Sequence, residues 1–445
     1  MHWERRSFLA ALGTAAVAPF WAREAWAQVR GAALRAMVEQ QLAESLTEPF
    51  ILEDRRTFAT FEQAMRLGRP DVKRRVLQSH LPRLERSLRR RGARINPWPA
   101  DKDSIDYRHL LALGQDGRAQ KGAFTLNHGA LQSLAKANGY ASRLAEFQKV
   151  AFGLRGCQVV AASAGPQRSV RLKEARPDHV HRRCVLGVWD RVEATVAVYE
   201  GSTVPDRVQL SLHRQYVRFK QKTPKVRDPG VWQANLLPQG LYDYRLGTHL
   251  ADGPSVHHQP GALLQMKPGP VLRAHRTLSY RHDETWDYAR YSVGDNIHAS
   301  MYLRSFLEFS SMGCQTVYGR YWPPGERPTG PWQYFRVALG IDQDDAANRD
   351  AEIPYMLTTG REARIHAYGF DRPSLLNRIR YGSRGFMALQ AQRALKKEGL
   401  LASTVDGKFG RDSAVAVLEF QKRKGLPRDA VITPKIAAML GLSDA

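Results

Sequence analysis

A thiol and an imidazole stand sixteen positions apart in the second half of the chain. His298 lies in Asp295-Asn296-Ile297-His298-Ala299-Ser300, and Cys314 closes Ser310-Ser311-Met312-Gly313-Cys314 before Gln315-Thr316. A thiol is a weak nucleophile until it loses its proton, and a neighbouring imidazole is the usual acceptor. A glycine before the nucleophile lets backbone approach a bound group closely and offers an unshielded N–H to a developing oxyanion. The chemistry expected is attack of Cys314 on a carbonyl, with His298 as base, Gly313 at the oxyanion and Ser311 positioning the His or lining the site. Gln315, Ala299 and Ser300 are the neighbours expected against substrate. The bland reading is a buried structural Cys and one ordinary His among 14; the Ser-x-Gly-Cys grouping downstream of a strand His favours the catalytic one.

These residues need a stiff scaffold, and the surrounding sequence supplies one. From Val185 the period becomes two: Val192–Tyr199 alternates and is β-branched, a strand signal. Similar runs are Val208–Leu212, Leu241–Leu246, Val271–Leu278, Trp332–Leu339 and Ile353–Thr358, separated by turns such as Pro238-Gln239-Gly240, Pro268-Gly269-Pro270 and Pro323-Pro324-Gly325. Residues 185–369 therefore read as a β-rich domain carrying both motif residues. Residues 28–184 read as a mainly helical region, from the spacing of apolar positions over Val29–Leu46, Val72–Leu88, Ile105–Leu113 and Leu131–Val150. Residues 370–380 read as a linker, and the helical period returns over 381–445. The fold class expected is multidomain α+β.

Composition limits the partners. The 445 residues exceed one ordinary core. Lys and Arg number 67 against 43 Asp and Glu, a net charge of +24, which favours an anionic partner or a solvated surface. Residues 1–27 read as an export signal. Arg5-Arg6-Ser7-Phe8-Leu9 resembles a twin-arginine signature, Phe8–Phe20 is weakly apolar, and Ala25-Trp26-Ala27 offers small residues at the cleavage pocket. The alternative is an amphipathic helix that stays in place. Export puts the protein in the periplasm or cell envelope, away from nucleic acid, and no later run is long enough for a membrane span. The basic run Arg89-Arg90-Arg91 is a solvated face or a polymer-binding patch.

The two cysteines left after Cys314, Cys157 and Cys184, are candidates for a disulfide in an oxidising compartment, or else two small buried thiols. His249, His257, His258, His275 and His282 lie close in sequence, but no ligand spacing of a known kind accompanies them, so neither metal nor organic cofactor is expected. Asp295 is a candidate to orient His298, at a sequence distance that makes the geometry difficult.

Two stretches carry family resemblances. Leu389-Gln390, Asp406-Gly407-Lys408-Phe409-Gly410, Ala414-Val415, Phe420-Gln421 and Gly425-Leu426 resemble, in register, the three-helix peptidoglycan-binding domain; the second Asp-Gly turn of that family is replaced by Asp429-Ala430-Val431-Ile432-Thr433. His298 with Ser311-x-Gly313-Cys314, preceded by Leu237-Pro238-Gln239-Gly240-Leu241-Tyr242, resembles the L,D-transpeptidase (YkuD-like) catalytic domain. Ala299, Met312 and Gln315-Thr316 depart from that family's usual Gly, His and Arg or Asn. The resemblance implies a cysteine acyltransferase on peptidoglycan stem peptides that passes through a thioester. Amine transfer gives a crosslink, water gives a carboxypeptidase or amidase, and a decayed site gives a wall-binding protein without activity.

Overall fold

The computed structural model describes residues 98–160, 165–179, 181–206, 234–249, 259–273, 280–288, 292–301, 311, 313–320, 330–341 and 351–442. The expected signal at 1–27, the helices of 29–88, the Arg89–Arg91 run and the strand at 208–212 lie outside them.

A 3-10 turn (Arg108–Leu113) leads into strand β1 (Ala123–Asn127) and helices α1 (His128–Ala137) and α2 (Ala141–Leu144). Asn127 caps α1 by accepting the Ala130 N–H at 2.9 Å. Strands β2 (Lys149–Arg155), β3 (Cys157–Val159), β4 (Ser169–Glu174), β5 (Cys184–Asp190) and β6 (Thr195–Ser202) follow. Then come β7 (Asn235–Leu236), β8 (Gly240–His249), β9 (Gln259–Gln265), β10 (Val271–Arg273), β11 (Thr285–Asp287), β12 (Ile297–Met301) and β13 (Gln315–Arg320). Helix α3 (Pro331–Leu339), strand β14 (Glu352–Thr359) and helix α4 (Gly360–Tyr368) complete this part.

Eight strands close a barrel in the order β12-β13-β6-β5-β2-β14-β8-β9. The pairs β12–β13 and β2–β14 are parallel and the others antiparallel. Side chains that alternate along these strands enter two different cores. Ala151, Leu186, Val188, Ala197, Tyr199, Tyr355 and Leu357 belong to the larger apolar cluster with Ile297, Ala299 and Val317. Val150, Phe152, Val185, Trp189, Val196, Val198 and Met356 belong to a second, with α1 and β1 and β4 residues. Strands buried on both faces read as unbroken apolar runs, which is why β2 lies hidden in the sequence.

The mixed α+β class stands, but the boundaries move. Residues 98–184 are not mainly helical: β1 to β4 lie there, and β2 is a barrel strand, so the barrel begins well before residue 185. Trp332–Leu339, expected as a strand, is helix α3. Pro331 occupies its first turn, Gly340 ends it at φ 77°, and Trp332, Phe335 and Ala338 are buried at helical spacing.

The stretch expected as a linker is built into the fold. Residues 373–376 form a 3-10 turn (Pro373–Leu376). Arg378 donates to the His109 carbonyl at 3.0 Å and its backbone N–H to the Ala137 carbonyl at 2.8 Å. Arg380, 1% exposed, pairs with Glu362 of α4, itself 2% exposed. Beyond it, α5 (Phe386–Lys397), α6 (Arg411–Arg423) and α7 (Pro434–Met439) form the three-helix module. Its core residues Ala391, Leu395, Phe409, Val417 and Phe420 join the same cluster as the barrel interior. Tyr288 Oη donates to Glu419 of α6 at 2.7 Å.

Candidate active site

Parallel pairing of β12 with β13 brings the two motif residues together. Ile297 faces Gln315 and His298 faces Thr316 across the ladder, so Cys314, one residue ahead of β13, arrives beside His298. A nitrogen of His298, a nitrogen of His249 and Cys314 Sγ all lie within 4.8 Å of one another. His298 is 2% exposed and Cys314 is half-buried. His298 Nδ1 lies 2.9 Å from the Ala299 carbonyl oxygen. A carbonyl only accepts, so Nδ1 carries the proton and Nε2 the lone pair a base requires.

The turn before Cys314 is held by its own side chains. Ser311 Oγ donates to the Cys314 carbonyl at 2.6 Å and accepts the Gly313 N–H at 3.1 Å. The Ser311 backbone N–H donates to Asp206 Oδ2 at 2.8 Å, and the Asp206 N–H returns a bond to the Ser311 carbonyl. Ser311 thus shapes the nucleophile turn and does not touch His298. The Gly313 N–H is spent on Ser311, so Gly313 does not supply the expected oxyanion donor. The glycine is needed for another reason. A Cβ there would sit well inside van der Waals contact of Asp295 Oδ1 and 2.7 Å from Asn235 Nδ2.

The expected substrate contacts are also corrected. Gln315, Ala299 and Ser300 are fully buried, each at 0% exposure. Gln315 Nε2 donates to the Gly313 carbonyl at 2.9 Å, and its Oε1 accepts from Tyr355 Oη at 3.2 Å. It braces the nucleophile turn against β14. Gly153 on β2 leaves room for that tyrosine, since a Cβ there would overlap Tyr355 Oη. Ala299 contributes its carbonyl to His298, and Ser300 packs inward.

Asp295 does not orient His298. Its carboxylate accepts from Asn235 Nδ2 and its carbonyl accepts from Tyr244 Oη at 2.6 Å. Burial raises the Asp295 carboxyl to about 7, against the hydrogen bond from Asn235. Burial lowers His298 to about 4. Burial of its sulfur, with the Asp295 charge, pushes the Cys314 thiol well above the ordinary range, while the N–H groups of Asn296 and Cys314 favour the thiolate. The resting pair is therefore a neutral thiol beside a neutral imidazole, and no thiolate–imidazolium pair is preformed.

Cys157 and Cys184 are free, so the bridge considered for them is not made. Cys157 Sγ packs against Gly360, where a Cβ would come within 3.1 Å of it, and Cys184 Sγ accepts from Thr203 Oγ1 at 3.2 Å. His249, weighed in the sequence only as one of several clustered histidines, belongs to the site: it ends β8, and its ring stacks on His298 with centroids 4.3 Å apart. Of the other clustered histidines, His282 donates its backbone N–H to the Asp103 carbonyl, and His257, His258 and His275 lie outside the described residues. Among the described residues no helix is long and apolar enough to cross a membrane.

No curated protein and no solved structure matches the chain. Residues 388–440 match the family described as "Putative peptidoglycan binding domain". They cover α5, α6 and α7, so the chain carries a peptidoglycan-binding domain, which supports association with the cell wall.

Proposed function

We propose that the protein is an exported cell-wall enzyme, an L,D-transpeptidase-like cysteine acyltransferase acting on peptidoglycan stem peptides. The observation that carries this is the meeting of Cys314, one residue ahead of β13, with His298 on the parallel neighbour β12, with the His298 Nε2 lone pair left available. The peptidoglycan-binding domain at 388–440 supports the substrate class. The N-terminal pattern supports export to the periplasm by the twin-arginine route.

His298 Nε2 takes the Cys314 proton as Sγ attacks a stem-peptide carbonyl, because the neutral pair has no thiolate in store. The Sγ–C bond forms, and the carbonyl oxygen gains charge near the Cys314 backbone N–H. The amide C–N bond then breaks, and the leaving amine of a terminal D-amino acid takes the proton from His298. The amine of a neighbouring stem then attacks the thioester and gives a proton to His298. The C–Sγ bond breaks, the proton returns to Cys314, and a crosslink is left. Buried Gln315 and Ser311 keep the Cys314 turn rigid throughout.

Hydrolysis by the same residues is the second reading. A thioester on the same Cys314 can pass its acyl group to water as well as to an amine. Incubating the protein with sacculi and resolving the muropeptides by mass spectrometry separates the two. New crosslinks support transfer, and shortened stems without crosslinks support a carboxypeptidase or amidase. Identical profiles for wild type and Cys314→Ala would leave only a wall-binding protein.

A further inference from the structure

The site contains a second imidazole that the transfer steps leave unused. His249 stands at the end of β8, and the barrel order places only β9 between β8 and β12. Its ring lies 12° from parallel with that of His298. Two His nitrogens and a sulfur within 4.8 Å of one another suggest a soft divalent cation. The hydrogen-bond network points elsewhere.

Asn296 Oδ1 accepts the Gln265 backbone N–H at 3.0 Å. Its amide Nδ2 is therefore the atom that faces His249 Nδ1 at 2.9 Å. An amide nitrogen donates, so His249 Nδ1 holds the lone pair and Nε2 holds the proton. His298 has the opposite tautomer, with Nδ1 donating to Ala299. The stacked rings thus offer one N–H donor and one lone pair. A cation on all three groups would require His249 Nε2 to lose its proton and Asn296 to give up its bond.

We propose that His249, fixed as the Nε2–H tautomer by Asn296, is a positioning residue that holds the His298 ring as a neutral base and supports the charge that grows on Cys314. This rests on the reading of Cys314 as nucleophile and His298 as its base. Two imidazoles stacked this closely oppose a second charge, and the neighbouring His298 adds to burial in lowering His249. The Asp295 charge acts on Cys314 against the thiolate, and Tyr244 is electrostatically coupled to the same sulfur. Asn296, one residue ahead of β12, ties the β9 backbone to the His249 ring, which stacks on His298.

The test needs no peptidoglycan. Alkylation of Cys314 in the full-length protein by iodoacetamide is followed by peptide mass spectrometry from about pH 4 to about pH 9. His249→Ala should slow alkylation at neutral pH by about tenfold and move its acid limb upward, as His298 becomes better hydrated. His249→Gln keeps an acceptor for Asn296 and an N–H donor, and should restore most of the rate. Urea midpoints report whether each variant is folded. A wild-type rate and pH profile in His249→Ala would overturn the inference, as would a Gln variant as impaired as the Ala variant. Stoichiometric Zn2+ protection of Cys314 that His249→Ala abolishes would overturn it in favour of a metal site. If His298→Ala also leaves alkylation unchanged, the underlying reading of the Cys–His pair fails; if only His249→Ala does, that reading stands.

Discussion

Cys314 Sγ lies 3.4 Å from the carbonyl oxygen of Gly294, placed so that the thiol proton points along that bond. The nucleophile therefore rests as a thiol donating to backbone, one residue from the buried carboxyl of Asp295. Activation means moving this proton to His298 at the moment of attack.

Asp295 restrains the thiol by like charge. Its carboxyl titrates at about 7, and its charge helps to hold the Cys314 thiol high. Asp295→Asn should lower the thiol pKa and speed alkylation of Cys314 above neutral pH by about three- to tenfold, since one pKa unit is a factor of ten in thiolate. Alkylation rates across pH for wild type and variant check this. The gap between them should narrow on the acid side, where wild-type Asp295 is already protonated.

Gly313 is a position in the nucleophile turn where a single methyl group has no room. Gly313→Ala drives a Cβ into Asp295 and Asn235. The substitution should cost about 1–3 kcal/mol of stability, the usual range for overpacking a filled site. Thermal melting reads that loss, and the alkylation rate of Cys314 should change with it, because the same turn carries the nucleophile.

Acid should weaken the fold between about pH 6.5 and about pH 4. Burial lowers His298 to about 4, His366 to about 4 and His249 to about 2. Over that window the unfolded chain takes up protons on these groups that the folded chain refuses, so stability falls as pH falls. Asp295 acts in the opposite direction, because its folded form keeps a proton up to about 7 and the unfolded form does not. Burial also lowers His109 and His179, which act in the same direction, so the histidines outweigh the one carboxyl and the urea midpoint should be lower at pH 5 than at pH 7. His366→Gln should flatten that slope.

The C-terminal module should unfold with the barrel. Arg380 and Glu362 form a buried pair between them, and Gln239 also accepts from Arg380. Arg380→Ala leaves the buried Glu362 carboxylate with only Thr358, Asn138 and His109 beside it and should cost about 3 kcal/mol. Calorimetry should give one transition for the wild type. A separate early transition for residues 381–442 would show that the module is merely tethered.

Some of this was legible in the residues, for physical reasons that differ by element. The alternation over Val192–Tyr199, Leu241–Leu246 and Ile353–Thr358 marks β6, β8 and β14; β6 sends alternate side chains to different cores, and β8 buries Tyr242, Tyr244 and Leu246 while Asp243 and Arg245 face outward. The module's turn Asp406–Gly410 is equally local: Asp406 Oδ1 accepts the Lys408 N–H, and Gln392 Oε1 accepts the Asp406 and Gly407 N–H groups. Helix α3 looks like a strand because Trp, Tyr, Phe and Val favour strands, although Pro331 and Gly340 bracket it as a helix. Residues 370–380 read as a linker, yet Arg378 and Arg380 are buried because their partners His109, Gln239 and Glu362 come from distant elements. His298 and Cys314 could be paired from a local motif. His249 could not, because only closure of the barrel through β9 brings its ring onto His298.

The most direct measurement is intact-protein mass spectrometry after brief mixing with a purified muropeptide whose stem ends in a D-amino acid. The expected result is an added mass equal to the donor's acyl part. It should be removed by hydroxylamine, map to Cys314, and be absent in Cys314→Ser and strongly reduced in His298→Ala. Stem processing with no adduct on Cys314, or undiminished processing by Cys314→Ser, would contradict the account.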